Sequence, residues 1–177
     1  MLMLLTAVNL APDSYVYCPC CATPLVTQPV MDKPRRVCPA CHFVHFTDPK
    51  VGVGVMVVVD GRILLVCRAM NPEKGKWSIP AGFVDSGEDP KETAVREAAE
   101  ETGLRVTISG LVDVYFNPPA EPGAPGASIF ILYKAEWVDG VLRAGDDAAA
   151  AAFFALDNLP ELAFASTKDA IHRLRVM

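Results

Sequence analysis

The chain has 177 residues, a formal net charge of −5 at pH 7 and an apolar fraction of 51%. That gives room for one catalytic domain with a full core and a small appendage. The acidic balance and the lack of a long Lys/Arg run argue against general nucleic-acid binding, and the longest apolar runs, Val51 to Val59 and Ala148 to Leu156, are too short to span a membrane.

Residues 1–14 begin MLMLLTAVNLA, an apolar stretch with no basic region before it, so it reads as a terminal tail rather than a signal peptide. A cytoplasmic protein without membrane attachment is the expectation. Residues 15–47 follow as a separate small unit. Cys18 and Cys21 are two residues apart, as are Cys38 and Cys41, with sixteen residues between the pairs. Two such knuckles have the spacing of a zinc ribbon, in which four thiolates close a tetrahedral structural site around Zn2+. Disulfides are the competing reading, weakened by the intracellular character expected of the rest. Cys20 is surplus and is an alternative to Cys21 in a shifted register. His42 and His45 flank the second knuckle and read as surface or interface residues. A site closed by four thiolates has no open position for substrate, so the ribbon is expected to stabilise and not to catalyse.

Residues 48–177 read as the catalytic domain. Val51 to Val59 and Ile63 to Arg68 are strands around Asp60-Gly61, a hairpin signal, with Cys67 buried in the second. Asp89, Pro90 and Glu92 make a helix start and Gly103 a stop, which predicts a helix from Pro90 to Thr102. On it Glu97, Glu100 and Glu101 share one face at about 3.6 residues per turn. Like charges so placed repel, unless a hard divalent cation with oxygen ligands sits among them. Arg96 lies one turn from Glu92 and Glu100 and can reach Glu88, so it orients the acids and braces the glycine-bearing loop before them. Leu104 to Phe116 is a long strand that Gly110 bends or bulges. Residues 117–126 hold four prolines and two glycines and form a loop. Ser128 to Trp137 and Ala149 to Leu156 are further strands. Ser166 to Arg175 is a closing helix, with Ser166 and Asp169 at capping-box spacing.

Gly82, Glu88, Arg96-Glu97, Glu100-Glu101 and Gly103, with Ala98 and Leu104 in apolar slots, fill every fixed position of a pattern twenty-three residues long. The chain thereby resembles the Nudix hydrolases. The likeness extends over roughly Val51 to Arg175, through the lead-in Lys76-Trp77-Ser78-Ile79-Pro80-Ala81-Gly82 and the late Phe153-Phe154-Ala155-Leu156-Asp157-Asn158-Leu159-Pro160. Cys38-Pro39-Ala40-Cys41 and Asp48-Pro49-Lys50 are similar to the subgroup with an N-terminal ribbon. The resemblance implies an α/β/α sandwich with a mixed sheet. It also implies hydrolysis of a nucleoside diphosphate linked to another moiety with Mg2+ or Mn2+, the metal held by Glu97, Glu100, Glu101 and the Gly82 carbonyl. Arg96 and Glu88 belong to the same catalytic set. The partner is a small nucleotide, and a homodimer is compatible with the family.

The box says little about the leaving group. NADH pyrophosphatases carry an SQPWPFP stretch after the box, where this chain reads Tyr115-Phe116-Asn117-Pro118-Pro119. ADP-ribose pyrophosphatases often carry a proline about fifteen residues past the box, the place of Pro118 or Pro119. ADP-ribose therefore leads, giving AMP and ribose 5-phosphate, and FAD follows. Arg68 is a candidate phosphate contact and Phe116, Phe46 or Tyr115 candidates for base stacking. Ala150 stands where many relatives carry a glutamate, which leaves a box acid, Glu121 or Asp146/Asp147 to supply a base. The rival readings are a nucleotide sensor that does not hydrolyse, and an NADH or nucleoside triphosphate pyrophosphatase. Sensors commonly lose box acids, and this chain keeps them.

Overall fold

The computed structural model describes residues 15–119 and 126–176. The N-terminal tail and Glu121 lie outside the described residues. The chain divides into two units, residues 1–49 with 118–127 and residues 50–117 with 128–177.

In the first unit β1 (Val26–Val30), β2 (Lys33–Val37) and β3 (Val44–His45) form an antiparallel sheet in that order. Met31 and Asp32 between β1 and β2 both have positive φ, 49° and 63°, the conformation whose twist suits a two-residue hairpin. Among the described residues its buried apolar cluster is Cys18, Leu25 and Cys38, with Phe43 packed against them. So small a core needs another source of stability.

In the second unit β4 (Lys50–Val59) and β5 (Arg62–Arg68) are joined at Asp60-Gly61, with φ 49° and 72°, so the expected hairpin is present. Then come β6 (Trp77–Ser78), β7 (Ala81–Phe83), α1 (Pro90–Thr102), β8 (Leu104–Asn117), β9 (Ser128–Gly140), β10 (Ala148–Ala155) and α2 (Ala165–Val176). The main sheet runs β10-β5-β4-β9-β8, with β6 paired to β5 and β7 to β4. It is mixed: β4 and β9 are parallel and the other pairs antiparallel. The register of β8 against β9 shifts between Ile108 and Gly110, the bulge expected at that glycine.

Strand alternation sends side chains to opposite faces, and this separates two cores. Val53, Val55, Val57, Leu64, Tyr133 and Ala135 pack with Ala94 and Ala98 of α1. Met56, Ile63, Leu65 and Leu132 pack with Ala170 and Ile171 of α2. The result is the helix–sheet–helix sandwich that the resemblance implies. Ser166 does not cap α2, which begins a residue earlier; Asp169 instead accepts from Tyr115 Oη at 3.1 Å and from Arg173 Nε at 2.7 Å. Tyr115 itself packs against the second core, which removes it from the stacking candidates. No helix of the described residues is long and apolar enough to cross a membrane.

Candidate active site

The acidic helix is fixed at both ends. Asp89 adopts an extended conformation and its Oδ1 accepts from the N–H groups of Lys91 and Glu92 at 2.8 and 3.4 Å. Gly103 takes the left-handed conformation, φ 70°, and its N–H closes on the Ala99 carbonyl at 2.9 Å. These caps hold the register that sets Glu97, Glu100 and Glu101 along one side.

Arg96 gathers the acids: its Nη1 lies 3.0 Å from Glu97 Oε1 and 2.8 Å from Glu100 Oε2, and its Nη2 lies 3.3 Å from Glu88 Oε2. Glu88 Oε2 also accepts from the Asp85 N–H at 3.1 Å and the Thr93 hydroxyl at 2.9 Å. The Asp85 N–H first, then the Thr93 hydroxyl and Arg96, hold the Glu88 carboxyl below its ordinary pKa despite partial desolvation. Glu88 thus ties the loop to the helix as an anion.

Glu101 is in a different situation. It is 5% exposed, and Oε2 accepts from the Ala81 N–H at 2.9 Å. Burial pushes its carboxyl up to about 8, against the Ala81 hydrogen bond and with help from nearby Asp147 and from the charge of Glu97. Burial also raises Glu97; Arg96 opposes the shift, and the charges of Glu100 and Asp146 add to it. Among the described residues no Lys or Arg forms an ion pair with Glu101 or Asp147. An anionic, oxygen-rich set lacking its own cation on one side suits a hard divalent ion.

Gly82 in β7 faces this set. A Cβ built there would overlap the Glu97 carboxylate, so glycine leaves the room in which that side chain lies. Gly82→Ala should displace Glu97 and lower turnover by at least about tenfold, since a small misplacement of a catalytic group can cost about 100-fold. Steady-state kinetics with a melting curve would separate this from unfolding.

The segment before β10 closes over the helix end. The Arg143 N–H donates to the Thr102 carbonyl at 2.9 Å and the Gly145 N–H to the Glu101 carbonyl at 3.1 Å. Asp147 is held further by its carbonyl, which accepts from the Ala69 N–H at 2.9 Å. Ala150 sits in β10 opposite Cys67. The acids that reach the helix from this segment are therefore Asp146 and Asp147.

A pH dependence follows from Glu101. Its folded pKa, about 8, lies above the ordinary glutamate value of 4.5, so the folded state holds this proton more tightly than the unfolded state. The resulting stabilisation is complete below about 4.5 and is lost as pH rises through about 8. In metal-stripped protein the melting temperature should fall over that window. Added Mn2+ should recover most of the loss at pH 8, because metal binding competes with the proton. A melting temperature flat across the window in the chelated protein would contradict the burial of Glu101.

Beside the acids lies a cavity of about 410 Å3, within the size range of small-molecule sites. Ala81 and Gly82 line its end next to the box, and Gly52, Ile79, Ile129 and Phe130 its floor, with Phe83, Asn117, Ser128, Arg68, Pro72 and Phe164 among the other walls. Arg68 therefore joins Gly82 at one cavity. Phe116 does not: it is 68% exposed and is not part of the lining. Pro118 and Pro119 fall in the first unit and are likewise not lining residues, and Phe46, also in that unit, lies under the Arg35 guanidinium at 4.4 Å. Sequence reasoning missed Phe83, Phe130 and Phe164. The glycines alternating through Val51-Gly52-Val53-Gly54-Val55 were the available signal, since they leave one strand face bare.

In the first unit the ligand atoms of Cys18, Cys21, Cys38 and Cys41 all lie within 4.8 Å of one another, and all six cysteines are free. Sulfur separations are 3.5 Å for Cys18–Cys41 and for Cys21–Cys38, and 3.6 Å for Cys21–Cys41, far beyond the roughly 2.05 Å of a disulfide bond. They approach the spacing of about 3.8 Å that tetrahedral Zn–S bonds of about 2.3 Å would impose. The Cys20 N–H donates to Cys18 Sγ and the Cys41 N–H to Cys38 Sγ, each at 3.4 Å. Cys20 is exposed and is not one of the four. The Thr23 hydroxyl, 3.3 Å from Cys21 Sγ, leads the effects that draw that thiol down to about 6. The four-cysteine cluster can hold a metal ion.

Fold and box together define a phosphoanhydride hydrolase, and the comparisons agree. The NUDIX domain model matches residues 48–174, and the chain belongs to the Nudix family. It is 44% identical over 119 residues to an ADP-ribose pyrophosphatase of Methanocaldococcus jannaschii, covering 67% of this chain and 69% of that one. It is 33% identical over 151 residues to the NAD-capped RNA hydrolase NudC of Chromobacterium violaceum, covering 84% of this chain but only 53% of the relative. A crystal structure of a NUDIX hydrolase from Nitrosomonas europaea superposes with a TM-score of 0.79 at 31% identity, over 90% of this chain and 89% of that one. The protein is a Nudix pyrophosphohydrolase.

Proposed function

We propose that this enzyme cleaves the pyrophosphate of ADP-ribose to AMP and ribose 5-phosphate, with FAD as its second substrate. The observation that carries the reading is a single cavity lined both by Ala81 and Gly82, which adjoin the acids, and by the aromatic side chains of Phe83, Phe130 and Phe164. It offers a planar base an apolar berth while leaving the diphosphate at the box. The 44% identity to an ADP-ribose pyrophosphatase supports the choice.

Glu97, Glu100, Glu101 and the Gly82 carbonyl would hold Mg2+ or Mn2+. When bound, such an ion neutralises the diphosphate and lowers the pKa of a coordinated water. Arg96 fixes the rotamers of Glu97 and Glu100, and the Ala81 N–H fixes that of Glu101. In the first unit Cys18, Cys21, Cys38 and Cys41 would hold one structural Zn2+.

Purified protein with magnesium should be offered ADP-ribose, FAD, NADH, NAD-capped RNA, diadenosine polyphosphates and nucleoside triphosphates. ADP-ribose should show the highest kcat/KM and yield AMP. A higher value for NADH or NAD-capped RNA would replace this reading, and no turnover of any compound would indicate a sensor.

A further inference from the structure

We propose that Phe164, backed by the Arg68 guanidinium, is the wall on which the nucleobase stacks, and that Arg68 therefore serves the base and not the phosphates. This deepens the functional reading above and rests on it. Phe164 is half-buried, yet it belongs to neither hydrophobic core of the catalytic unit. It lines the cavity instead. An aromatic ring outside the core, facing a void, costs packing that a ligand ring would restore.

The ring and the backbone that carries it are both held. The Arg68 guanidinium lies 4.9 Å from its centroid, and Arg68 Nε is anchored on the Pro72 carbonyl at 2.8 Å. The preceding backbone is pinned to β6: the Ala163 N–H donates to the Trp77 carbonyl at 2.8 Å, and the Trp77 N–H to the Glu161 carbonyl at 2.9 Å. The Phe164 carbonyl then accepts from the Lys168 N–H at 3.1 Å as α2 begins. A wall ordered before binding spares the ligand that ordering cost.

The apolar part of the lining suits a flat ring. Gly52 leaves bare backbone in the lining. At Gly54 a Cβ would come within 2.8 Å of both the Phe130 ring and the Pro80 carbonyl, so glycine is what lets Phe130 lie across β4. Ile79, Ile129, Phe130 and Phe164 offer no hydrogen bonds, and burying ribose hydroxyls among them would leave polar groups unpaired. The polar side chains of the lining are Ser78, Asn117, Ser128, Ser166 and Thr167, of which Asn117 and Ser128 hydrogen-bond each other at 3.1 Å. Arg68 is the one charged residue of the lining. A guanidinium favours an electron-rich neutral ring such as adenine and disfavours a cationic one such as oxidised nicotinamide.

The test compares a probe with a base to the same kind of probe without one. The full-length protein and its variants are titrated calorimetrically in magnesium buffer with AMP and with ribose 5-phosphate. Phe164→Leu keeps an apolar side chain but removes the ring. It should weaken AMP roughly tenfold, since stacking on an aromatic side chain is of that order, and change ribose 5-phosphate less than twofold. Phe164→Tyr, which keeps the ring, should hold AMP within twofold of the wild type. For ADP-ribose turnover by Phe164→Leu, KM should rise by more than kcat falls. AMP affinity unchanged in Phe164→Leu, equal weakening of both probes, or loss of AMP by Phe164→Tyr would each overturn the assignment. A wild type that binds AMP but hydrolyses no ADP-ribose would defeat the functional reading and leave the stacking wall standing.

Discussion

Glu100→Gln and Glu101→Gln should each lower turnover of the preferred substrate by about 100-fold or more, with the fold intact. The magnitude follows from removing one ionised group from the set that stabilises transition-state charge. Glu101→Gln is the more informative of the two. The Glu101 carboxyl is buried, its pKa is pushed up to about 8, and it accepts from the Ala81 N–H. In metal-free protein at neutral pH it is mostly protonated, so glutamine mimics it in both charge and size and its amide oxygen can still accept from Ala81. The variant should therefore melt at the wild-type temperature or above when chelated. It should also lose the Mn2+-dependent rise in melting temperature that the wild type shows at pH 8. Glu100 is 45% exposed at its side chain and paired with Arg96, so Glu100→Gln removes charge from the surface end of the same set. Both variants turning over at near-normal rates in saturating magnesium would break the assignment of the box.

How far the sequence carried this reading depends on whether a feature is local. The acidic helix was legible because its cap, its proline and its terminal glycine are consecutive, and backbone needs alone select those residues. The Asp60-Gly61 hairpin and the Gly110 bulge were legible for the same reason. The cavity was not. Its walls come from β4, the end of β5, the β6–β7 segment, the adjoining ends of β8 and β9, and the start of α2, and no local pattern announces such a convergence. Phe116 looked like a stacking residue from its place after the box, but its own strand turns it outward. Asp169 was read as half of a capping box; Tyr115 and Arg173, one of them distant in sequence, claim it.

The region before β10 shows a subtler limit. The resemblance sets Ala150 where many relatives carry a glutamate, just before the paired phenylalanines, which leaves a box acid, Glu121 or Asp146/Asp147 to supply a base. The chain departs from an ideal strand there: Asp146 has φ 49°, and the β10–β5 register shifts between Ala148 and Ala150. Asp147, in this irregular segment, is one of the groups that raise the Glu101 carboxyl.

Cys38→Ser should remove the bound zinc and unfold the N-terminal segment, with a much smaller effect on the catalytic unit. Cys38 is fully buried and, among the described residues, forms that unit's apolar cluster with Cys18 and Leu25. Three strands of five, five and two residues cannot offset their ordering entropy on so little buried area. Structural zinc in comparable small folds contributes about 10–16 kcal/mol of apparent binding energy at pH 7, so such an ion at the four cysteines would decide whether this sheet folds. Elemental analysis should find one zinc per wild-type chain and essentially none in Cys38→Ser. Limited proteolysis should then cut the variant within residues 15–47 and leave the catalytic unit resistant. Cys20→Ser is the matched control: Cys20 is exposed and stands apart from the four clustered sulfurs, so this variant should keep its zinc. Full zinc in Cys38→Ser, or zinc lost from Cys20→Ser alone, would mean the ion is held in a different register.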